Sequence, residues 1–318
     1  MLDSLLSKRV VFVAGKGGTG KSTIAAALAL LAARAGKRVL AVDVDGKGDL
    51  AAALGSKTVS FSPHVAQPRI SVIALKPQES FQEYLHIYFK VPRLARLTPL
   101  SRVFDFIATA VPGPRDMLVV GKIAHEERRR EPGGRAVWDV IVVDCAASGH
   151  VVAHLAAARS MLTLVRGGVI RSQVEWIDAL VRDHARTTVA LCALPEEMPV
   201  VEAIELHERL RAEAGVAIDA CVLNRVVTEA VTPAQRALLR AMCSDEHVDE
   251  VTSRLGGSPE SLSEAVELAA RLHARGNVEL RRLRAALKVS VLRVPLAVAR
   301  PGLATSRLVA DALAEDAA

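Results

Sequence analysis

Residues 15–23 constrain the fold of this chain more than any other feature. They read G-K-G-G-T-G-K-S-T, follow an apolar run at 10–14 and open an alanine- and leucine-rich segment at 22–35. Glycine-rich turns with this spacing join a buried strand to a helix, where backbone N–H groups and the helix N-terminus surround phosphate oxygens. The sequence therefore predicts a phosphate-binding loop and an α/β architecture of the P-loop type.

Short apolar runs alternate with longer helical patterns along the rest of the chain. Besides 10–14, the predicted strands are 38–42, 70–75, 137–143, 188–194, 218–223 and 289–294. Such alternation is typical of a parallel sheet with helices on both faces. We therefore predict one doubly wound α/β domain over residues 1–318, with a mainly parallel sheet. A predicted helix at 200–214 ends before Gly215, which suits the left-handed position after a helix.

Two stretches, 77–134 and 226–288, are longer than a simple crossover between strands needs. Both have helical patterns, and the first has an apolar face over residues 81–89. We predict helical inserts at both places. Packing of the apolar face against the sheet domain is the simpler interpretation, and an exposed groove for a protein client is the alternative.

Composition excludes few classes of partner. The net charge of +6 allows an acidic partner without selecting one, whereas the aromatic content of 3% disfavours a single-strand nucleic-acid site built on stacked rings. The four cysteines form no C-x-x-C pair, so no zinc site is predicted. No apolar run is long enough to span a membrane, and we expect a cytoplasmic protein.

The residue types at the loop predict the chemistry of the site. The predicted phosphate-binding residues are Gly15, Lys16, Gly17, Gly18, Thr19, Gly20, Lys21, Ser22 and Thr23. Lys21 would neutralise phosphate charge, and the Ser22 hydroxyl would ligate Mg²⁺. Asp43 and Asp45 end the second predicted strand, and Asp144 ends the apolar run at 138–143, so all three would hold Mg²⁺-bound water.

Lys16 narrows the class of P-loop protein. With it the loop reads G-K-G-G-x-G-K-[ST], which resembles the deviant Walker A motif of SIMIBI-type ATPases. That resemblance implies that Lys16 reaches the nucleotide of a partner subunit, so dimerisation completes the site. A solvated surface charge is the alternative role for Lys16.

Four further segments are similar to one family. Residues 144–150, D-C-A-A-S-G-H, resemble the switch II pattern D-x-A-P-T-G-H of the arsenite-pump ATPase (ArsA) and tail-anchored-protein-targeting ATPase family, with Ala147 in place of the proline. Residues 193–202 resemble its P-E-x-M-x-x-x-E segment, 223–225 its V-N-[QR] strand end and 294–296 its closing nucleotide loop. The chain thus resembles this family, and in particular its actinobacterial ArsA-like members that occur as paired paralogues.

The resemblance implies a function. ATP and Mg²⁺ would close two subunits face to face, as a homodimer or as a heterodimer with an ArsA-like paralogue, and the switch would act through a protein client or partner. Asn224 and Pro295 would contact the base. Lys16, Lys21 and Asp144 would take part in catalysis.

One departure from the family concerns hydrolysis. Switch I of the family reads D-P-A-H-S-L-S-D and its last aspartate activates water, whereas residues 45–52 read D-G-K-G-D-L-A-A and place Ala52 there. Alanine can neither accept a proton nor position water. Asp49 is the candidate substitute, in a loop made pliable by Gly46 and Gly48. The alternative is that Asp49 caps a short helix starting at Leu50.

These features leave three hypotheses. The first is a working ATPase, and the second is a weakly hydrolysing, nucleotide-binding partner of a catalytic paralogue. The third is a ParA-like switch bound to DNA through the arginines at 128–130 and 281–284, which the ArsA-like motifs disfavour. The chain has neither the cysteine pair that binds zinc in the targeting dimer nor a close cysteine triplet for arsenite.

Overall fold

The computed structural model describes residues 2–76, 79–80, 82–83, 114–146, 148–228, 231–242 and 258–317. The strands are β1 (Val10–Gly15), β2 (Val39–Asp43), β3 (His64–Gln67), β4 (Ile70–Ala74), β5 (Val140–Asp144), β6 (Thr187–Ala193), β7 (Ile218–Val226) and β8 (Ser290–Pro295). The helices are α1 (Leu2–Ser7), α2 (Lys21–Arg34), α3 (Asp49–Ala53), α4 (Pro114–Arg128), α5 (Ser148–Leu164), α6 (Gly168–Arg182), α7 (Glu197–Arg209), α8 (Pro233–Met242), α9 (Pro259–Leu287) and α10 (Leu303–Ala317).

The strands form one sheet in the order β3-β4-β2-β5-β1-β6-β7-β8. All described pairings are parallel except that of β3 with β4. This confirms the predicted doubly wound, mainly parallel sheet, and each predicted strand is present. The sequence analysis missed β3, because a four-residue edge strand without a fully buried position has too little hydrophobic pattern to detect.

Helices cover both faces of the sheet. On one face α4, α5, α6, α7 and the C-terminal part of α9 pack over side chains such as Phe12 and Val143. On the other face α1, α2, α3 and α10 pack over side chains such as Val11 and Val13. Consecutive β1 residues therefore supply opposite cores, as the alternation of side chains along a strand requires. α2 is buried from Ile24 to Ala32, which explains its nearly continuous alanine and leucine composition.

The described parts of the two predicted inserts are largely helical. α4 and the end of α9 contribute Ile123 and Leu283 to the core, so these parts cover the sheet rather than project from it. The apolar face predicted over 81–89 lies outside the described residues except for positions 82 and 83. Among the described helices, none has both the length and the apolar composition that crossing a membrane needs.

The predicted helix 200–214 is present and ends at Ala214 as predicted, but it starts three residues earlier. α7 begins at Glu197, and a single π-helical turn, Leu210–Ala214, completes the helical segment. Gly215 then adopts a φ of 64°, the left-handed conformation expected after the helix.

The basic run at 128–130 makes contacts within the chain. Arg129 pairs with Glu126 at 2.8 Å, and the Arg128 guanidinium lies 4.3 Å from the centre of the Trp176 ring.

A buried glutamate ties the start of the sheet to α4. Glu127 is 2% exposed, and its carboxylate accepts hydrogen bonds from Arg9 Nε at 3.2 Å and Arg186 at 2.7 Å. Arg9 also donates to the carbonyls of Trp138 and Asp139. Arg9 precedes β1 and Arg186 precedes β6, so one carboxylate fixes the N-terminal ends of two adjacent central strands.

We expect Glu127→Ala to lower the free energy of unfolding by about 2–3 kcal/mol, because two arginines lose their shared buried counterion. Urea denaturation of the nucleotide-free chain measures this loss. The matched control is Glu131→Ala, which removes an exposed partner of Arg38 and should cost less than about 1 kcal/mol. Equal losses in the two variants would contradict this assignment.

Candidate functional site

The parallel sheet brings the predicted site residues to one edge. β1 ends at Gly15, β2 at Asp43 and β5 at Asp144, and β7 and β8 carry Asn224 and Pro295 near their C-terminal ends. In doubly wound folds, ligands bind at this edge, where neighbouring strands lead to opposite faces. β1 lies in the middle of the sheet between β5 and β6. The phosphate-binding loop that follows β1 is therefore centred among the predicted site residues.

Two glycines let this loop pass close to the neighbouring strands. A Cβ atom at Gly15 would lie 2.2 Å from the carbonyl oxygen of Cys192 in β6. A Cβ atom at Gly20 would lie 2.3 Å from Nδ2 of Asn224 in β7, and Gly20 also has a φ of 89°. Neither position can accept a side chain without displacing the loop. The sequence pattern identified these glycines, but only the structure shows what each contacts.

The first turn of α2 is open to an anion. Gly20 occupies the cap position and supplies no side-chain hydrogen bond, so the free N–H groups at the start of the helix have no side-chain cap. These groups and the positive end of the helix dipole attract phosphate. The loop itself is held by Thr19, whose hydroxyl donates to the Lys16 carbonyl at 2.9 Å.

Both loop lysines are bonded to oxygen atoms of the protein. Lys21 Nζ donates to the Lys16 carbonyl at 3.1 Å, and Lys16 Nζ forms an ion pair with Glu202 of α7 at 2.5 Å. Glu202 ends the segment 193–202 that resembles the family's P-E-x-M-x-x-x-E pattern, which by itself predicts no role for it. The two residues are 186 positions apart, so no local pattern could have paired them.

Asn224 supports the loop in this structure. Its Nδ2 donates to the Thr19 carbonyl at 2.8 Å, and its Oδ1 accepts the backbone N–H of Arg225 at 3.0 Å. The pairing of β7 with β8 is irregular between Leu223 and Val226, and Arg225 has a φ of 58°. A local irregularity of this kind redirects side chains at the end of a strand. Asn224 is thus directed at the loop, and the predicted contact with a base stays a prediction.

Pro295 ends β8 beside Val226, and the next backbone N–H, that of Leu296, donates to the Val226 carbonyl at 3.0 Å. Leu296 is 51% exposed and Val298 is 94% exposed. The segment after β8 therefore presents apolar side chains near the end of β7, where the sequence predicts a base contact for Pro295.

Asp43 organises the segment that follows β2. Its two carboxylate oxygens accept the backbone N–H groups of Gly46 and Gly48, both at 2.8 Å. Burial raises the pKa of Asp43, the two N–H bonds oppose this shift, and the charges of Asp45 and Asp49 add to it. Asp43 thus holds the loop backbone, a role that its predicted place near Mg²⁺ did not include.

Asp144 is the buried acid at the centre of the site. Its Oδ1 is buried and has no hydrogen-bond partner among the described residues. Burial raises the pKa of Asp144 to about 7, although a hydrogen bond with Ser22 lowers it in part. Asp43 lies directly opposite on β2. An orphaned carboxylate oxygen beside the Ser22 hydroxyl suits a hard divalent cation, so Asp144 and Ser22 fit a Mg²⁺ site.

No group of three or more histidine, cysteine or acidic side chains in the described part of the chain is arranged to hold a metal ion. Any Mg²⁺ here would therefore depend on Ser22, water and bound phosphate as well as on carboxylates, which is the usual arrangement for this ion.

Burial raises the pKa of Cys192, which lies under the loop, to about 12. That thiol stays protonated at neutral pH.

The structure corrects the alternative role of Asp49. α3 begins at Asp49, not at Leu50, and Gly48 with a φ of 89° occupies the cap position without a side-chain hydrogen bond. Asp49 is exposed in the first turn of α3, and its charge contributes to the raised pKa of Asp43. Ala52 is exposed on the same helix. Asp49 remains available for the predicted catalytic role.

The segment that resembles switch II leads into α5, whose first turn follows Asp144 closely. Ala147 lies outside the described residues, and α5 begins at Ser148. His154 in this helix pairs with Asp116 of α4, with 3.1 Å between His154 Nε2 and Asp116 Oδ1. This contact joins the switch II helix to the helix that follows residues 84–113. Asp116 lies in residues 111–116, a segment similar to the actinobacterial ArsA-like members, but the sequence assigned it no role because its partner is 38 positions away.

Comparison with known proteins identifies relatives of the chain. A sequence model of the anion-transporting ATPase family matches residues 8–172. The chain is 30% identical over 301 residues to the ATPase BagA of Mycobacterium tuberculosis, covering 90% of this chain and 85% of that protein. It is 27% identical over 158 residues to the ATPase get3 of Schizosaccharomyces japonicus, covering 48% of this chain and 46% of that protein. It is 25% identical over 238 residues to an arsenical pump-driving ATPase of Acidiphilium multivorum, covering 69% of this chain and 40% of that protein.

We expect Asp144→Asn to stabilise the nucleotide-free chain at pH 8. The carboxyl of the unfolded chain ionises near its ordinary pKa of 3.8, whereas the folded one ionises at about 7. The stability of wild type therefore falls as the pH rises from 3.8 to about 7, and stays at the lower level above pH 7. The variant has no carboxyl group to ionise at this position, so its stability does not fall in this way. The predicted gain at pH 8 is roughly 2–4 kcal/mol, shrinking toward about pH 4.

Urea denaturation at both pH values measures this difference, with Asp45→Asn as the control. Asp45 is an exposed acid at the same edge of the sheet, so its variant should change stability by less than about 0.5 kcal/mol. A loss of stability in Asp144→Asn at pH 8 would mean that the buried carboxylate is already compensated.

Proposed function

Because this chain belongs to the anion-transporting ATPase family, we propose that it binds ATP with Mg²⁺ and acts as a nucleotide-dependent dimeric switch. One observation carries the proposal above all. The N-terminus of α2 has no side-chain cap and carries Lys21, and its Ser22 is hydrogen-bonded to Asp144, a buried carboxylate whose Oδ1 has no partner among the described residues. A phosphate chain would satisfy the first and a divalent cation the second.

The residues of the loop would divide the work of binding. The N–H groups of the loop and of α2 would hold the phosphates, and Lys21 would leave the Lys16 carbonyl to neutralise their charge. Ser22 and Asp144 would hold Mg²⁺, which when bound neutralises charge that develops on the phosphates. Asn224 and Pro295 would contact the base.

Dimerisation is the finer part of the proposal. Lys16 would reach the nucleotide of a partner subunit in a face-to-face dimer, which would be a homodimer or a heterodimer with an ArsA-like paralogue. A protein client or partner in the cytoplasm would bind the open and the closed dimer differently. The contact between His154 and Asp116 supports this, because it joins switch II to α4 and so offers a route from the nucleotide to the rest of the domain.

Asp49 would orient the attacking water. Its exposed position in the first turn of α3, together with its effect on Asp43, supports this role. Ala52 favours a second candidate function, in which the chain hydrolyses ATP only weakly and serves as the nucleotide-binding partner of a catalytic paralogue. The two functions differ in whether the isolated chain turns over ATP.

Steady-state ATP turnover of the purified chain with Mg²⁺ tests the first function. We expect slow turnover by wild type and none by Lys21→Ala, because that variant cannot neutralise phosphate charge. Asp49→Ala should bind ATP within about threefold of wild type yet lose at least about tenfold in turnover, since general acid–base groups contribute about 10²–10⁴-fold. Tight ATP binding without turnover by wild type would favour the second function.

Replacing Ala52 by the aspartate that ends the family's switch I pattern provides a gain-of-function test. We expect Ala52→Asp to raise turnover at least about tenfold, because a carboxylate at this position can accept a proton from water. The control is Ala52→Asn, which has a similar shape and no charge. Ala52 is exposed, so both variants should fold. Equal turnover in the two variants would show that this position does not reach the attacking water.

A further inference from the structure

The ion pair between Lys16 and Glu202 is formed within a single chain. Lys16 belongs to the phosphate-binding loop and Glu202 to the second turn of α7, with 2.5 Å between Lys16 Nζ and Glu202 Oε1. The Lys16 side chain is 43% exposed and that of Glu202 is 27% exposed. The second oxygen, Oε2, is buried and without a hydrogen-bond partner among the described residues. In the part of the chain that the structure describes, Lys16 is therefore the only cation that compensates this carboxylate.

We propose that Glu202 is a positioning residue that competes with nucleotide phosphate for Lys16. This inference rests on the proposed function, since it concerns how the same site takes up nucleotide. The contact with Glu202 uses part of the Lys16 charge and holds its side chain toward α7. Lys16 therefore gives up part of this interaction when it turns to a phosphate.

The strength of the pair suits a reversible contact. Ion pairs with this exposure contribute up to about 1 kcal/mol, whereas a phosphate carries more charge and offers more oxygens than a carboxylate. Nucleotide can therefore displace Glu202. The negative charge of Glu202 nevertheless opposes nucleotide binding. The Glu202 carboxylate holds Lys16, and once Lys16 has left, this partly buried carboxylate has no cation beside it.

The position of Glu202 depends on the packing of α7. Pro195, just before this helix, contacts α9 so closely that a Cβ atom at Gly276 would lie 3.3 Å from the Pro195 Cβ. The π-helical turn at the other end of α7, Leu210–Ala214, packs against the switch II helix α5. Glu202 is thus held by elements outside the phosphate-binding loop, and these elements set how closely it approaches Lys16.

A double-mutant cycle isolates the contact. The dissociation constant of a fluorescent ATP analogue with Mg²⁺ is measured for the full chain as wild type, Glu202→Gln, Lys16→Gln and the double variant. We expect Glu202→Gln to bind about 3–10-fold more tightly than wild type, because Lys16 is released and one repulsive charge is lost. In the Lys16→Gln background the same change should have less than about a twofold effect.

Glu205→Gln is the matched control. Glu205 lies one turn further along α7, is exposed and carries the same charge, so its variant should bind within about twofold of wild type. Thermal melting of each variant establishes that it is folded.

Three results would overturn the proposal. One is weaker binding by Glu202→Gln, another is an affinity equal to that of Glu205→Gln, and the third is a gain that persists in the Lys16→Gln background. If wild type itself bound no nucleotide, the proposed function would fail along with the inference. Nucleotide binding by wild type together with any of the three results would reject the role of Glu202 alone.

Discussion

The turn between β1 and α2 lies at contact distance from the C-terminal ends of both β6 and β7, and the rest of the site depends on this constraint. Gly15 lies against the Cys192 carbonyl and Gly20 against the Asn224 amide, with no space for a Cβ atom at either position. The close approach lets Asn224 hold the Thr19 carbonyl, which fixes the loop in front of the first turn of α2. Free N–H groups then point at one place, where a phosphate can bind.

Charge at this edge is unevenly compensated. Lys16 and Lys21 both have oxygen partners within the protein, whereas the Asp144 carboxylate is buried with one oxygen unpartnered. A magnesium nucleotide would change the partners of all three side chains. Its phosphates would bind Lys16 and Lys21 in place of the protein oxygens, and its Mg²⁺ would compensate the charge of Asp144. The nucleotide-free fold therefore carries an energetic cost at Asp144 that ligand binding would remove.

The sequence predicted the parts of the molecule that depend on local pattern. The strands next to the site are continuous apolar runs, and the loop between β1 and α2 is marked by glycines that the turn needs, so both could be located without a structure. The helix α7 starts at Glu197, three residues before the predicted start at 200, because a proline such as Pro199 is tolerated in the first turn, where its missing N–H breaks no intrahelical bond.

Contacts between distant residues could not be predicted in the same way. The pairing of Lys16 with Glu202 and that of His154 with Asp116 join different helices and loops, and neither pair lies in one motif. Asn224 was found through its resemblance to a family strand end, yet its contact with Thr19 arises from the irregular pairing of β7 with β8. Strand β3 was missed because none of its four residues is buried and its Val65 is exposed, so it has no apolar alternation to detect.

The central claim is that this edge of the sheet binds ATP through Lys21 with the help of Mg²⁺. Isothermal titration calorimetry of ATP into the full chain tests it most directly, with Mg²⁺, with EDTA, and with Lys21→Ala. We expect binding by wild type with Mg²⁺, at least about tenfold weaker binding in EDTA, and no measurable binding by Lys21→Ala. Absence of binding by wild type, or equal affinity in Lys21→Ala, would show that this edge of the sheet is not the ATP site.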